Sequence, residues 1–167
     1  PRMMDSLNFD VFYSNKWAAF GDEIVNPIGC ADCHEPENMN LTITRPALIE
    51  AFERQGKDIT KATVQEMRSL VCAQCHVEYY FQGDGKYLTF PWDKGSTVED
   101  MEKYYDENEY CDYIHTLSKA PILKAQHPDY EIAQIGIHGQ RGVSCADCHM
   151  PYKSEGGMKF SDHHIQT

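Results

Sequence analysis

The chain has 167 residues, the usual size of one domain. Its formal net charge is −11, and because nucleic-acid-binding domains carry a positive surface, this charge argues against a nucleic-acid partner. The sequence contains no run of about 18 or more apolar residues, so it predicts no membrane-spanning segment.

The first regular element is predicted only after residue 40. Residues 1–29 hold apolar and aromatic side chains without a clean period, and Asn26-Pro27 marks a turn. A helix is predicted to begin near Thr44, with Pro46 in its first turn and Gly56 as its stop. The apolar residues on its predicted face are Leu48, Ile49 and Phe52.

A second helix is predicted to begin near Thr63, because Thr63-x-x-Glu66 matches a capping box. Its apolar residues lead directly to Cys72, and they are Met67, Leu70 and Val71. Beyond this helix, Gly83-Asp84-Gly85 separates two aromatic runs, which predicts a short β-hairpin near residues 79–90.

Two more helices are predicted in the second half of the chain. Ser96-x-x-Glu99 also matches a capping box and predicts an acidic helix that runs through roughly Tyr105. Pro128 is predicted to open a short helix that ends near Gly136.

The last part of the chain, from Gly139 to Thr167, is predicted to be mostly loop, with Gly156-Gly157 as a turn. No polypeptide repeat accompanies these elements. The predicted fold class is therefore mainly α with long loops.

The pattern Cys-x-x-Cys-His occurs three times and contains six of the seven cysteines. The copies are Cys30-Ala31-Asp32-Cys33-His34, Cys72-Ala73-Gln74-Cys75-His76 and Cys145-Ala146-Asp147-Cys148-His149. It is typical of c-type haem attachment, in which both thiols bind haem vinyl groups and the histidine binds the iron. Zinc ribbons and thiol-redox sites also use Cys-x-x-Cys, but zinc ribbons pair such motifs and neither class requires the histidine. The sequence therefore predicts a multihaem cytochrome c fold with a core formed largely by haem c.

Covalent haem attachment takes place outside the bacterial cytoplasm, so we expect a periplasmic protein. Pro1-Arg2-Met3-Met4 is not the start of a signal segment, and we expect the signal to be absent through cleavage or truncation. The seventh cysteine, Cys111, is expected to be a buried free thiol.

The motif histidines His34, His76 and His149 are the predicted proximal ligands of three haems. A low-spin electron-transfer haem needs a second axial ligand, and the remaining candidates are His115, His127, His138, His163 and His164. Five candidates for three haems indicate that some of these histidines do other work. For any single one, a hydrogen-bonded structural histidine is the alternative.

Stretches around and between the motifs resemble the pentahaem ammonia-forming cytochrome c nitrite reductases. In chain order they are FYSNKWAAFGDEIVNPIGCADCH, ITRPALIEAF, CAQCHVEYY, KAQHPDYE, GIHGQRGVSCADCHMP and DHHI. In that family a catalytic haem bound through Cys-x-x-Cys-Lys precedes the segment that resembles residues 1–4, and a fifth haem motif follows the one that resembles residues 162–165. We therefore expect residues 1–167 to be the central part of a single domain, with haem sites two to four of five.

The resemblance implies that Tyr79 and His127 line the distal face of the catalytic haem. A phenol and an imidazole can polarise or protonate an oxygen atom of bound nitrite, which suits its six-electron reduction to ammonium. The arginine that completes this group in the family falls before residue 1.

The resemblance also implies a calcium site formed by the Glu78 carboxylate, the Gln126 amide oxygen and the backbone carbonyls of Tyr79 and Lys124. Calcium prefers oxygen ligands, so these groups suit it, whereas the Lys124 ammonium does not. Calcium and His127 would also make a positive pocket for an anion. Judged without the resemblance, Glu78 and Gln126 read as a surface pair at a helix end.

For the other histidines, the resemblance makes His138 the distal ligand of the fifth haem, whose own motif is absent. It makes His163 the distal ligand of the haem held by Cys30, Cys33 and His34, with His164 as the runner-up. The distal ligands of the haems at His76 and His149 are expected from outside this stretch, and His115 is interpreted as structural.

The favoured function is thus periplasmic reduction of nitrite to ammonium by the longer parent protein, with the isolated segment inactive. We expect a quinol-linked cytochrome or a membrane protein as electron donor, and a homodimer. Two alternatives stay open: a purely electron-transferring multihaem cytochrome c, and an octahaem relative with nitrite or hydroxylamine chemistry. The first alternative has no use for the residues around Tyr79 and His127.

Overall fold

The fold was obtained as a computed structural model, which describes residues 9–23 and 28–165. Among these residues the α-helices are α1 (Phe9–Ser14), α2 (Pro46–Arg54), α3 (Val64–Ala73), α4 (Val98–Glu107), α5 (Asp129–Ile135), α6 (Ile137–Gln140) and α7 (Cys145–His149). Three segments form 3₁₀ helices, and they are Trp17–Glu23, Cys30–Asp32 and Ile59–Lys61. The predicted turn at Asn26-Pro27 and the first four residues lie outside the described ranges.

The strands of the described part form three separate antiparallel pairs. They are β1 (Tyr80–Gln82) with β2 (Tyr87–Thr89), β3 (Tyr113–Ile114) with β4 (Pro121–Ile122), and β5 (Tyr152–Glu155) with β6 (Met158–Ser161). The β1–β2 pair is the hairpin predicted near residues 79–90, with Tyr80 opposite Thr89. The mainly helical fold class is therefore confirmed, with small strand pairs added to it.

Helix α2 follows its sequence signals closely. Pro46 occupies the first helical position, and the chain leaves the helix through Gly56, whose φ of 72° is readily adopted only by glycine. Leu48 and Phe52 lie on the buried face as predicted, while Ile49 is partly buried and packs beside them. Local signals and tertiary packing agree in this element.

The largest cluster of buried apolar side chains joins α2, α3 and the segment after β2. Its members are Leu48, Ala51, Phe52, Ile59, Leu70, Ala73, Val77, Phe90 and Trp92. The Trp92 ring lies 5.4 Å from that of Phe52 and 4.9 Å from that of Phe90, measured between centroids. Aromatic pairs at such distances contribute about 0.5–1.5 kcal/mol each beyond their buried area. This cluster fixes α3, which carries the second haem motif.

The predicted capping box at the start of α3 is confirmed. The Thr63 hydroxyl accepts a hydrogen bond from the Glu66 backbone N–H at 3.2 Å, and the Glu66 carboxylate accepts one from the Thr63 N–H at 2.6 Å. The Thr63 N–H and the Thr63 hydroxyl both donate to the Glu66 carboxylate, and these two bonds hold the pKa of Glu66 below its usual range. The helix then continues as predicted into Cys72 and ends at Ala73.

The predicted start of α4 was wrong by one residue. The sequence contains two overlapping capping patterns, and the structure uses Thr97 with Asp100 rather than Ser96 with Glu99. The Thr97 hydroxyl and the Asp100 N–H are 3.1 Å apart, and the Asp100 carboxylate accepts the Thr97 N–H in return. The helix also runs to Glu107, two residues beyond the predicted end.

The prediction that residues 139–167 are mostly loop was wrong. This region holds α7 and the β5–β6 hairpin, with Gly156-Gly157 as the predicted turn, both at positive φ. Both strands of this hairpin are largely exposed, so no alternation of apolar and polar residues marks them. The short helix predicted at Pro128 is confirmed as α5, which ends before Gly136.

No helix in the described part of the chain has the length and the apolar run that crossing a bilayer requires.

Candidate functional site

The three Cys-x-x-Cys-His motifs lie on different local structures. The first forms the 3₁₀ turn Cys30–Asp32, the second follows from the end of α3, and the third is α7 itself. In the first two motifs the histidine N–H donates to the carbonyl of the first cysteine at 2.9 Å. The backbone therefore folds each cysteine pair and its histidine into one compact turn.

Helix α3 and the turn after it hold the first motif in place through Gln74. The Gln74 side chain donates to the Asp32 carbonyl at 2.9 Å, and its amide oxygen accepts the backbone N–H groups of Thr44 and Arg45. Arg45 in turn forms an ion pair with the Asp32 carboxylate at 2.7 Å. The middle residue of the second motif thus fixes the backbone of the first.

The same helix holds the third motif through Arg68. This buried guanidinium forms an ion pair with Asp147 at 3.2 Å, donates to the Ser161 hydroxyl at 2.7 Å and lies 4.3 Å from the Tyr152 ring centroid. The Ser69 hydroxyl also accepts the Cys145 N–H at 3.1 Å. Residues of α3 therefore contact both α7 and the β5–β6 hairpin.

Asp32 and Asp147 occupy the same position in the first and third motifs and act alike. Each carboxylate accepts a backbone N–H three residues earlier, from Gly29 and from Ser144, both at 2.8 Å. The Gly29 bond holds the pKa of the Asp32 carboxyl below its usual range. Because each carboxylate also meets an arginine, this motif position links the motif to the scaffold.

A cavity of about 340 Å³ lies between the second and third motifs. It is lined by Cys72, Ala73, His76, Asp129, Tyr130, Cys145, Ala146, His149, Met150 and Ile165. Cys72 and Cys145, from different motifs, line the same cavity. Thiols, imidazoles and a largely apolar lining are the chemistry that covalent haem requires, so these residues fit the group.

His34 and His163 face each other with ring centroids 6.0 Å apart. A metal–imidazole bond is about 2.0–2.1 Å long, so two imidazoles on opposite sides of one ion have ring centres about 6 Å apart. Each Nδ1 is 2.7–2.9 Å from a backbone carbonyl, that of Met39 for His34 and that of Ser161 for His163. A carbonyl only accepts, so Nδ1 carries the proton and Nε2 is left as the coordinating nitrogen.

The runner-up, His164, is held differently, because its Nδ1 lies 2.8 Å from the Asp162 carboxylate. In the second motif, His76 has the corresponding arrangement, with Nδ1 2.9 Å from the Asp129 carboxylate. A carboxylate on Nδ1 orients an imidazole and raises the basicity of its Nε2. His76 is therefore also arranged as a ligand through Nε2.

The structure brings Tyr79 and His127 together, although 48 positions separate them in the sequence. Their ring centroids are 5.2 Å apart and the planes are inclined by 37°. The His127 Nδ1 donates to the Val77 carbonyl at 2.7 Å, which leaves Nε2 without the proton in the neutral ring. Both rings are half-buried, so the phenol and the imidazole are partly shielded from solvent.

Glu78 directly precedes Tyr79 and is buried, with 4% of its surface exposed. Its carboxylate accepts the Gln126 backbone N–H at 2.7 Å, so the surface-pair reading of Glu78 does not hold. Burial raises the pKa of Glu78 and, next to it, raises that of Glu131 to about 7. In the described ranges neither carboxylate has a salt-bridge partner, so a divalent cation held by Glu78 and neighbouring carbonyl oxygens fits this donor set.

The other predicted calcium ligands lie on the loop that precedes α5. Gln126 and Lys124 have exposed side chains, and the Lys124 N–H donates to the Asp112 carboxylate at 2.7 Å. No group of three or more His, Cys, Asp or Glu side chains forms a metal site in the part of the chain that the structure describes. The predicted set contains only one such side chain, since its other donors are amide and backbone oxygens.

Comparison with known proteins places the chain in a family. A family model described as cytochrome c552 matches residues 1–167. The chain belongs to the cytochrome c552 family.

Several family members share most of its sequence. The cytochrome c-552 of Bacteroides thetaiotaomicron is 84% identical over 167 residues, and that of Parabacteroides distasonis is 82% identical over the same length. Each match covers 100% of this chain and 34% of the relative. The chain thus spans about a third of the length of the curated cytochromes c-552 that it matches.

A solved structure also resembles it, that of cytochrome c nitrite reductase from Desulfovibrio desulfuricans. The TM-score is 0.83 at 41% identity, and the match covers 100% of this chain and 39% of that one. That protein is described as having two calcium sites in its catalytic subunit. The mainly helical fold with small strand pairs is therefore the multihaem cytochrome c fold.

Two further histidines of this cytochrome c552 chain lie away from the Tyr79–His127 pair. His138 is exposed on α6, and its carbonyl caps that helix by accepting from Arg141 and Val143. His115 lies between β3 and β4, where its Nδ1 meets the Ser118 hydroxyl at 2.9 Å, which agrees with a structural role. Cys111 is half-buried and forms no disulfide in the described ranges.

Three polar residues that hold the motifs and the Glu78 segment in place were not predicted from the sequence: Arg68, Gln74 and Glu131. Arg68 and Glu131 are buried, with 5% and 2% of their surface exposed. Glu131 ends the stretch KAQHPDYE, which was one carrier of the family resemblance, and that was the available signal. Asp32 is 42 positions from Gln74, and Asp147 is 79 positions from Arg68. No local sequence pattern therefore marks either residue.

Proposed function

We propose that the protein containing these 167 residues reduces nitrite to ammonium in a six-electron reaction that uses c-type haems. The observation that carries the proposal is the Tyr79–His127 pair: Tyr79 comes three residues after the second haem motif, and the adjacent Glu78 carboxylate is buried. Support comes from the cytochrome c552 family and from the structural likeness to a nitrite reductase.

In this proposal Tyr79 and His127 handle protons at the substrate. The Val77 carbonyl binds the His127 Nδ1–H, so Nε2 is the nitrogen that takes up and releases a proton towards the pocket. The Tyr79 hydroxyl is a second donor on the same side, and its ring holds the imidazole plane in place. Two donors in fixed positions suit an oxyanion that must lose both oxygen atoms as water.

The chain's own residues would hold the cofactors. Haem c would bind through Cys30, Cys33 and His34, through Cys72, Cys75 and His76, and through Cys145, Cys148 and His149. His163 would complete the iron site at His34, and His138 would serve a haem attached elsewhere in the protein.

Calcium would bind Glu78, Gln126 and the carbonyls of Tyr79 and Lys124. When bound, the haems pass single electrons and calcium supplies positive charge beside the pocket.

Further features of the protein are part of the same proposal. Covalent haem implies a periplasmic location, with electrons from a quinol-linked cytochrome or a membrane protein, and we expect a homodimer. All three motifs in this segment end in histidine, so the lysine-bound catalytic haem would lie in another part of the protein and the segment alone would not reduce nitrite.

A purely electron-transferring cytochrome is the second candidate, and the His34–His163 pair is compatible with it as well as with the nitrite reductase, since paired imidazoles suit a haem that transfers electrons. It gives no role to Tyr79 and His127. An octahaem relative with nitrite or hydroxylamine chemistry would share the pocket and differ in the rest of the chain.

Replacing His127 tests the catalytic role. In the haem-loaded full-length protein, His127→Ala is expected to lower nitrite turnover about 10²–10⁴-fold, which is the usual effect of losing one proton donor. Optical spectra should show the haems unchanged, because His127 is not predicted to bind iron. The matched control is His115→Ala, which removes a half-buried imidazole that bonds to Ser118 between β3 and β4 and should keep wild-type turnover.

Two results would contradict the proposal. Wild-type turnover in His127→Ala would remove the imidazole from the reaction. Direct ligation of an iron by His127 in a structure of the holoprotein would assign it to electron transfer instead.

A further inference from the structure

Glu131 is the most deeply buried charged side chain of this region. It lies on α5, four residues after His127, and only 2% of its surface is exposed. Carboxylates are rarely buried without partners, because removing the charge from water costs free energy that hydrogen bonds must offset. The group that forms a hydrogen bond with the Glu131 carboxylate therefore indicates why this residue is buried.

That partner is a backbone amide of the candidate active site. Glu131 Oε1 accepts the Glu78 N–H at 2.7 Å, while Oε2 is buried without a hydrogen-bond partner among the described residues. A second bond runs alongside, since the Tyr130 N–H donates to the His76 carbonyl at 3.0 Å. Helix α5 is thus bonded to the segment that joins the second haem motif to Tyr79.

The Glu78 N–H belongs to the same peptide group as the Val77 carbonyl, which accepts the His127 Nδ1–H at 2.7 Å. Glu131 and His127 therefore bind the two ends of one peptide group. A peptide group is planar and rigid, so fixing the direction of its N–H also fixes the direction of its C=O. The carboxylate on one side thereby determines where the imidazole on the other side finds its acceptor.

We propose that Glu131 is a positioning residue that orients His127 through the peptide group between Val77 and Glu78. The inference rests on the proposed function, in which His127 acts on the substrate through Nε2. Glu131 itself touches neither substrate nor iron. Without its oxygen, the buried Glu78 N–H would lose its partner and the peptide would turn to find another, carrying the Val77 carbonyl away from His127.

The test uses variants of the haem-loaded full-length protein. They separate the effect of the position of the acceptor oxygen at residue 131 from the effect of its charge. Glu131→Gln keeps an amide oxygen at the same distance and removes the charge. Glu131→Leu removes the acceptor at similar size, and Glu131→Asp keeps the charge but withdraws it by one CH₂ group, which serves if the leucine variant does not accumulate. The control Asp93→Ala removes another buried carboxylate, which pairs with Arg54 and lies outside the pocket.

Turnover and geometry are both measured. Glu131→Leu and Glu131→Asp are expected to lower kcat for nitrite about 10²-fold, as a misplacement of about 1 Å does, with little change in KM. In crystal structures of the same variants, the His127 Nδ1–Val77 oxygen distance should exceed hydrogen-bonding range. Glu131→Gln should restore both the distance and kcat, and Asp93→Ala should leave both unchanged even if it unfolds at lower temperature.

The inference would be overturned if the His127–Val77 bond persists in Glu131→Leu and Glu131→Asp. It would equally be overturned if Glu131→Gln is as slow as Glu131→Leu, or if Asp93→Ala loses kcat to the same extent. A wild-type protein that does not reduce nitrite would instead overturn the proposed function, and the structures of the variants would still decide the role of Glu131.

Discussion

Several histidines of this chain share one arrangement at the residue scale: Nδ1 meets an oxygen of a nearby residue and Nε2 is directed away from it. The oxygen is the Met39 carbonyl for His34, the Asp129 carboxylate for His76, the Val77 carbonyl for His127 and the Ser161 carbonyl for His163. Three of these imidazoles are predicted iron ligands and one is a predicted proton donor. A hydrogen bond at Nδ1 therefore fixes the imidazole tautomer both in predicted iron ligands and in a predicted proton donor.

The buried Glu78 carboxylate provides a residue-scale prediction about calcium. Glu78→Ala should lower the calcium content of the full-length holoprotein, because Glu78 is the only charged ligand in the predicted set and calcium affinity rises with the number of charged ligands. The expected measurement is metal per protein after dialysis against a weak chelator. Haem content should not change, since Glu78 binds no haem in this assignment.

The matched control for Glu78→Ala is Glu99→Ala, an exposed carboxylate in the first turn of α4. The calcium assignment would be wrong if Glu78→Ala kept wild-type calcium, or if the wild-type protein held none. A structure with the Glu78 carboxylate directed away from a bound cation would lead to the same conclusion.

At the scale of elements, local signals predicted the parts of the fold that depend on neighbours in sequence. Pro46 and Gly56 bound α2, and the Thr63–Glu66 capping box starts α3. The β5–β6 hairpin has no such signal, because its strands are exposed and its position depends on Arg68, which is more than 80 residues away from Tyr152 along the chain. Elements fixed by distant contacts were therefore missed.

The candidate site also contains residues that local sequence patterns predict and residues that only distant contacts bring together. The motif cysteines and histidines are evident from spacing, whereas Tyr79, His127 and Glu78 were assigned through resemblance. Their proximity follows from the backbone between Val77 and Tyr79 meeting the loop before α5, which no local pattern encodes. Gln74 escaped notice because any residue is allowed between the two cysteines of a haem motif.

The two arginine–aspartate pairs that hold the outer motifs give an element-scale prediction. Arg45–Asp32 has the shorter distance, 2.7 Å against 3.2 Å for Arg68–Asp147, but the Arg45 side chain is 41% exposed and that of Arg68 only 6%. Arg68→Ala should therefore destabilise the holoprotein by about 1–3 kcal/mol, since it leaves the half-buried Asp147 carboxylate and Ser161 hydroxyl without their buried arginine. Arg45→Ala should cost about 0–1 kcal/mol, as exposed ion pairs do.

Guanidinium unfolding followed by circular dichroism would compare the two variants. Arg68→Lys is a useful third variant, because it keeps the charge but loses the two-sided contact with Asp147 and Ser161 and should remain less stable than wild type. If Arg45→Ala and Arg68→Ala lower the free energy of unfolding equally, burial does not determine the strength of these contacts.

At the scale of the whole molecule, α3 and the turn after it link all three motifs. Cys72 and Cys145 line one cavity, and Gln74 joins the second motif to the first. Groups attached to these thiols would therefore lie close together, which is what single-electron transfer between haems requires. The hydrophobic cluster around Trp92 adjoins this cavity, because Ala73 belongs to the cluster and also lines the cavity.

The number of haems is the prediction that belongs to this scale. Three complete motifs predict that the peptides containing Cys30–Cys33, Cys72–Cys75 and Cys145–Cys148 each carry the mass of one haem after proteolysis of the holoprotein. Cys111 lies outside every motif and should instead be alkylated by iodoacetamide once the protein is denatured. Peptide mass spectrometry measures all four in one digest, and a parallel zinc analysis provides the control. A motif peptide with free thiols, or with zinc in place of haem, would contradict the assignment of three haems, because all three motifs carry the same cysteine pair and histidine.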